Sequence, residues 1–137
     1  MAEAEFCDLY PRFLETTETV PSRSRLNARW RAIIGWNEAI FAGRRIVDLG
    51  CHDGRWGFAA LMAGAAHLVG IEARAHLANK ASENLGHYGI PASRYDIVTG
   101  DAIETLKPEE GQKTVAEFER LGAKLTTTQK ALNDLGR

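Results

Sequence analysis

Short apolar runs alternate with stretches of helical spacing through the middle of the chain. Three runs have the length and composition of strands, and they lie at residues 46–49, 69–72 and 95–99. Between them, residues 55–62 and 76–87 carry apolar side chains at the spacing of amphipathic helices. This β-α-β-α-β order predicts an α/β fold with a parallel sheet, right-handed crossovers and flanking helices.

Helices are also predicted before the first strand. Apolar residues at near-helical spacing predict one helix over residues 26–41, which Gly35 weakens. Closer to the N-terminus, a short helix is expected from apolar positions that would share one face: Phe6, Leu9, Tyr10, Phe13 and Leu14. Residues 1–42 are therefore assigned to N-terminal helices, and residues 43–106 to the βαβαβ core.

The pattern changes after the third strand. No fourth apolar run follows at the expected distance, and residues 114–137 instead carry a mostly apolar stripe at alternating steps of three and four. The stripe consists of Phe118, Leu121, Leu125, Thr128, Leu132 and Leu135. We predict a C-terminal amphipathic helix, which either packs on its own domain or pairs with another chain. The chain is thus interpreted as a domain over residues 1–113 and a helical tail over residues 114–137.

Composition narrows the classes of protein that fit. With 137 residues, of which 45% are hydrophobic, the chain suits one compact domain rather than a disordered segment. A formal net charge of −1 argues against a dominant non-specific nucleic-acid or membrane-surface role. Two cysteines are too few for a disulfide framework, and no apolar run approaches the roughly 20 residues that span a bilayer. Since the first residues also lack a signal-peptide pattern, a cytoplasmic setting is expected.

The first strand runs into a glycine-containing turn with the sequence IVDLGCHDG. A strand, a glycine turn and a helix in this order form the usual cradle for a nucleotide. A dinucleotide fingerprint would require glycine at positions 50, 52 and 55, and only Gly50 satisfies it. The pattern acid-x-Gly-x-Gly-x-Gly fits better, because Asp48, Gly50 and Gly54 match it and only His52 departs from it.

That pattern and two further motifs in the same order resemble the class I, Rossmann-like S-adenosylmethionine-dependent methyltransferases. The second motif is Glu72, the acid that ends the second strand, and the third is Gly100-Asp101-Ala102 after the third strand. The resemblance covers about residues 33–106 and implies the N-terminal, cofactor-binding half of such an enzyme. It implies that the cofactor is bound by Asp48, Gly50, Cys51, His52, Gly54, Glu72, Ala73, Asp101 and Ala102.

The resemblance also implies a role for each acid. Asp48 would anchor the turn and face the donor's amino group, with a carboxylate that only caps the turn amides as the alternative. Glu72 would accept hydrogen bonds from both ribose hydroxyls, with an exposed strand-end acid as the alternative. Asp101 would accept from the adenine amino group while Ala102 offers its amide, and an N-cap role for Asp101 is compatible with this.

His52 occupies a position where the family has glycine. Because histidine tolerates a positive φ better than β-branched residues do, we interpret it as a tolerated substitution rather than a catalytic base. Cys51, His52 and Asp53 resemble metal ligands by type. Consecutive side chains diverge, however, and no second cluster has the spacing of metal ligands, so no metal is expected.

These observations predict a protein that binds S-adenosylmethionine or S-adenosylhomocysteine and transfers a methyl group to an acceptor that the sequence does not identify. The alternative is a non-catalytic, truncated methyltransferase-like domain that acts in binding or assembly through its helical tail. A nicotinamide-dependent oxidoreductase fits less well, because the glycine spacing fails. No catalytic residue is predicted, because methyl transfer depends chiefly on the alignment of donor and acceptor.

The lack of a fourth strand bears on assembly. In the family the first strand lies between the second and the fourth, so residues 46–49 would form an open apolar edge. We therefore predict a homo-oligomer, formed through this edge or through the C-terminal helix.

Overall fold

The computed structural model describes residues 4–101, Lys113, Ala116 and Arg120. The chain forms two compact units, Met1–Ala102 and Ile103–Arg137. In the second unit the described residues are helical and exposed. The rest of the predicted helix over residues 114–137 lies outside the described residues, and the domain boundary at residue 113 stays a prediction.

The sheet contains the three predicted strands, which are parallel and lie in the order β1-β2-β3. Their bounds are β1 Arg45–Leu49, β2 His67–Glu72 and β3 Tyr95–Thr99. Leu49 pairs with Ile71, and the next residue, Glu72, pairs with Thr99. The carboxyl ends of the strands therefore lie level at one edge, which confirms the predicted α/β fold.

In the described residues, short helices and one longer helix precede β1: α1 Phe6–Leu9, α2 Arg12–Glu15, α3 Arg23–Ile33 and α4 Glu38–Phe41. The prediction of one helix over residues 26–41 is wrong, because α3 ends at Ile33 and a 3₁₀ turn follows. The amide of Asn37 donates to the carbonyls of Ala32 and Ile33 at 3.0 and 3.2 Å. This side chain thereby satisfies carbonyls that the end of a helix leaves without partners.

Two further helices connect the strands, as predicted: α5 Arg55–Met62 and α6 Ala75–His87. α5 lies close to β2 at Gly57, where a Cβ would be 2.5 Å from Cδ2 of Leu68. Leu68 itself is fully buried, so this contact fixes the start of α5 against the sheet. No helix in the described part of the chain has the length and apolar character needed to cross a bilayer.

One aromatic cluster joins the N-terminal helices to the crossover helices. Phe58 of α5 lies 4.7 Å from Tyr10, 5.4 Å from Phe13 and 5.2 Å from Tyr88, measured between ring centroids. Phe13 and Phe58 are fully buried. The N-terminal helices are thus part of the same core as the sheet, and they hold the segment after α2 near the edge where the strands end.

Candidate functional site

The turn after β1 has an unusual backbone at alternate residues. The φ angles are +70° at Gly50, +54° at His52 and +83° at Gly54. His52 is the one non-glycine residue with a positive φ among the described residues. Because side chains other than asparagine, aspartate and histidine rarely adopt this region, the backbone explains why the pattern carries glycine at these positions. It also explains why histidine is accepted at the central one.

The turn is attached to the end of β2. The backbone N–H groups of Gly50 and Cys51 both donate to the carbonyl of Ile71, at 2.8 and 3.0 Å. A Cβ at Gly50 would meet nothing within 4 Å. The turn therefore leaves open space above the sheet edge, in the position where open α/β sheets bind ligands.

Glu72 is buried, so the alternative of an exposed strand-end acid is wrong. Its side chain is 4% exposed, and Oε2 accepts the backbone N–H of His52 at 2.9 Å. Oε1 accepts the backbone N–H and Nε of Arg74 at 3.1 and 3.0 Å. Burial raises the pKa of Glu72, but the hydrogen bonds from Arg74 and His52 outweigh burial and hold that pKa below its ordinary value. Glu72 is thus an ionised acceptor that connects the turn to the end of β2.

Asp48 lies beneath the turn and carries an unused acceptor. Its Oδ2 is buried without a hydrogen-bond partner in the described structure. Burial raises the pKa of Asp48 to about 6, partly offset by the backbone N–H of Gly57 and reinforced by the charges of Asp53 and Glu72. Buried polar atoms are normally paired, so an unpaired carboxylate oxygen at this place suits a cationic or proton-donating ligand.

A buried ion pair inside the turn was not predicted from the sequence. Nε of Arg55 donates to Oδ1 of Asp53 at 2.7 Å, with the two side chains 5% and 0% exposed. Nη2 of Arg55 lies 2.8 Å from Nδ1 of His52 and donates to Thr17 at 2.8 Å. An acid and an arginine two residues apart in a glycine turn are the signal that would have pointed to this pair.

The segment after α2, residues 16–18, contacts both the turn and the residues that follow β2. Thr16 donates to Oδ2 of Asp53 at 2.8 Å, and Thr17 accepts from Arg55. Glu18 pairs with Arg74 at 3.5 Å and with His76 at 2.5 Å. The sequence offered no signal for these contacts, because threonine and glutamate between two helices are typical of any exposed connection.

The other predicted site residues differ in exposure. Ala73 follows Glu72 and is exposed, and Asp101 follows β3 with an exposed side chain. Cys51 is buried, and a Cβ at Gly70 would lie 3.0 Å from its Sγ, so its thiol faces β2. Burial raises the pKa of Cys51 to about 12. Cys51 therefore offers a ligand only its backbone, and Ala102 lies outside the described residues.

Comparison with known sequences gives a partial match. The chain matches no protein-family model. It is 36% identical over 56 residues to the ribosomal protein L11 methyltransferase of Marinobacter nauticus. That match covers 41% of this chain and 19% of the relative, so the chain spans only a small part of that enzyme's length.

Solved structures share the fold. The chain is similar to a candidate RNA methyltransferase from Pyrococcus horikoshii with a TM-score of 0.52 and 21% identity, over 68% of this chain and 44% of that one. It is similar to protein arginine methyltransferase 10 of Arabidopsis thaliana with a TM-score of 0.51 and 23% identity, over 58% and 22% of the two chains. The described unit thus has part of the Rossmann-like fold of class I methyltransferases, which confirms the resemblance at the level of fold.

Proposed function

We propose that this chain binds S-adenosylmethionine where β1, β2 and β3 end and forms the cofactor-binding part of a methyltransferase. The observation that carries the proposal is the turn after β1, where the three glycine positions of the acid-x-Gly-x-Gly-x-Gly pattern all have a positive φ. The 56-residue match to a ribosomal protein L11 methyltransferase supports the same assignment.

The polar groups at this edge fit the parts of the cofactor. The unpaired Oδ2 of Asp48 suits the amino group of its methionine part. An ionised carboxylate offers about four acceptor positions, and Glu72 uses three of them within the protein, which leaves room for a ribose hydroxyl. The Arg74 side chain is 52% exposed, so a second ribose hydroxyl would take its place on Oε1 of Glu72 while Arg74 keeps its contact with Glu18. Asp101 remains our proposal for the adenine amino group.

The cofactor would supply a methyl group activated by a sulfonium. The chain's own contribution is then to bind the donor and orient it, since alignment of donor and acceptor governs this type of reaction. Residues that position the acceptor are not identified among the described ones. The alternative function, a non-catalytic domain that acts through assembly, predicts no cofactor binding at this edge.

A pair of matched titrations tests the proposal. The full 137-residue protein is titrated by calorimetry with S-adenosylhomocysteine and, at the same concentration, with NAD. We expect saturable binding of S-adenosylhomocysteine and none of NAD, because His52 and Arg55 occupy two of the three positions at which a dinucleotide fingerprint requires glycine. Binding of NAD alone would assign the turn to a dinucleotide. Binding of neither ligand would favour the assembly function.

The cysteines support a reducing compartment. Cys7 and Cys51 are both free and buried, and they account for all the cysteine in the sequence. Extracellular domains of this size commonly rely on disulfides, whereas cytosolic proteins keep their thiols reduced. A cytoplasmic location therefore remains part of the proposal.

A further inference from the structure

The imidazole of His52 is held in one orientation by its neighbour. Nη2 of Arg55 lies 2.8 Å from Nδ1 of His52. A guanidinium can only donate, so Nδ1 is the acceptor and the imidazole proton resides on Nε2. Oδ1 of Asp53 lies farther from the same Nδ1, at 3.3 Å, and accepts Nε of Arg55 at 2.7 Å. A proton on Nδ1 would place two donors face to face across the shorter of these contacts.

The donor that remains has no acceptor. Nε2 of His52 is buried without a hydrogen-bond partner in the part of the chain that the structure describes. A buried donor without an acceptor destabilises the folded protein, so such atoms are uncommon unless a ligand or ion pairs with them. The whole side chain keeps 15% of its surface exposed, which places the imidazole at the boundary of the turn rather than in the core.

One donor and one acceptor without partners therefore lie at the same turn, the donor within it and the acceptor at the end of β1. Nε2 of His52 is a donor and Oδ2 of Asp48 is an acceptor, and both are buried. The free end of an α-amino acid carries a carboxylate and an ammonium, which are the complementary acceptor and donor. Glycine, which the family has at position 52, would offer no side-chain donor to such a ligand, whereas His52 does.

We propose that His52 is a specificity-determining residue that donates a hydrogen bond from Nε2 to the carboxylate of the cofactor's amino-acid part. This inference rests on the proposed function. It departs from the interpretation of His52 as a tolerated substitution. A substitution without a role would not be expected to bury an N–H donor that has no acceptor. Arg55 keeps the imidazole proton on Nε2, the nitrogen that donates.

The test compares two ligands and several variants. The probes are S-adenosylhomocysteine and its decarboxylated analogue, titrated by calorimetry into the full-length protein. His52→Gly and His52→Asn both suit a positive φ and are expected to fold. His87→Asn, at the exposed last residue of α6, is the matched control.

We expect both His52 variants to bind S-adenosylhomocysteine about tenfold more weakly than the parent, the scale of a hydrogen bond to a charged group. Their affinity for the decarboxylated analogue should stay within about twofold of the parent, because no carboxylate is present to lose the bond. An equal loss for both ligands, or no loss for either, would overturn the role of His52 while leaving the proposed function intact. A parent protein that binds neither ligand would overturn both.

Discussion

At the scale of single residues, Asp48 shows how burial changes the pKa of a carboxyl group. Burial raises the pKa of Asp48 to about 6 from an ordinary value of 3.8. A carboxyl whose pKa is higher in the folded than in the unfolded protein stabilises the fold in its protonated form. That contribution is present below about pH 3.8 and is lost as the pH rises through about 6. The ionised form becomes favourable again when a cation pairs with it.

The pKa of Asp48 predicts pH-dependent cofactor binding. If the ammonium of the ligand pairs with ionised Asp48, affinity for S-adenosylhomocysteine should rise about tenfold from pH 5 to pH 7, as the ionised fraction does for a pKa of about 6. Calorimetry at several pH values measures this. Asp48→Asn should bind more weakly and with a flatter profile, and an unchanged slope in that variant would assign the dependence to another group.

Glu72 is predicted to matter for both binding and stability. Glu72→Gln keeps an acceptor for the backbone N–H of His52 but removes the charge that pairs with Arg74. We expect affinity for S-adenosylhomocysteine to fall about tenfold, since hydrogen bonds to a charged group are worth about 1.5–3 kcal/mol. Calorimetry measures the affinity, and urea unfolding measures the accompanying loss of stability.

Glu83→Gln, on the exposed face of α6, is the control for loss of a negative charge. It should leave the affinity unchanged. Equal affinity in the parent and in Glu72→Gln would show that the ribose does not bind at this acid.

At the scale of elements, the central βαβαβ unit was predictable and the N-terminal helices were less so. β3 begins and ends where its apolar run predicted, because a short run of strand-forming residues between turn residues has few alternatives. The helix predicted over residues 26–41 failed because apolar spacing alone cannot detect a side chain such as Asn37, which caps the carbonyls of α3. The roles of Asp48, Gly50 and Glu72 in binding stay predictions.

The glycines of the turn are predicted to have separable roles. A Cβ at Gly54 would lie 3.1 Å from Cβ and 3.2 Å from Cα of Ala81, so Gly54→Ala crowds α6 as well as straining a φ of +83°. We expect Gly54→Ala to lower the free energy of unfolding by about 2–4 kcal/mol, and Gly50→Ala, which meets nothing within 4 Å, by about 1–2 kcal/mol. Urea unfolding checks this order.

Gly50→Ala should in addition weaken binding of S-adenosylhomocysteine, because its methyl group enters the open space above the sheet edge. Gly43→Ala is the matched control, since Gly43 has the same φ of +70° and equally open surroundings but precedes β1. The two variants should lose similar stability, and only Gly50→Ala should lose affinity. A similar loss of affinity in both would point to strain rather than ligand contact.

At the scale of the whole molecule, the site depends on contacts between distant parts of the chain. Thr16 reaches Asp53, and Asn84 of α6 donates to the Asp53 carbonyl at 2.9 Å and to Thr16 at 3.1 Å. Local patterns carry no information on such pairs, because each residue is ordinary in its own segment. This is the physical reason why the sequence predicted the turn but not its contacts with residues 16–18.

The outer side of β1, which faces away from β2, predicts how the molecule assembles. In the described residues β1 pairs with β2 alone, so one row of its N–H and C=O groups faces outward. A two-fold axis would pair β1 antiparallel with β1 of a second copy. If the axis passes Val47, the central residue of the strand, Arg45 of one copy lies opposite Leu49 of the other. The two Arg45 side chains therefore do not face each other. The homo-oligomer expected from the sequence therefore stays our prediction.

Sedimentation at micromolar concentration measures the assembly. We expect the parent to sediment as a dimer and Leu49→Lys to shift toward the monomer, because a charge at a strand edge opposes pairing. Leu49 is 54% exposed, and Val20, 64% exposed between α2 and α3, provides the matched control. Val20→Lys should leave the dimer intact. A parent that stays monomeric would show that the outward groups of β1 are satisfied without a second copy, and a dimer that survives Leu49→Lys would place the contact elsewhere on the molecule.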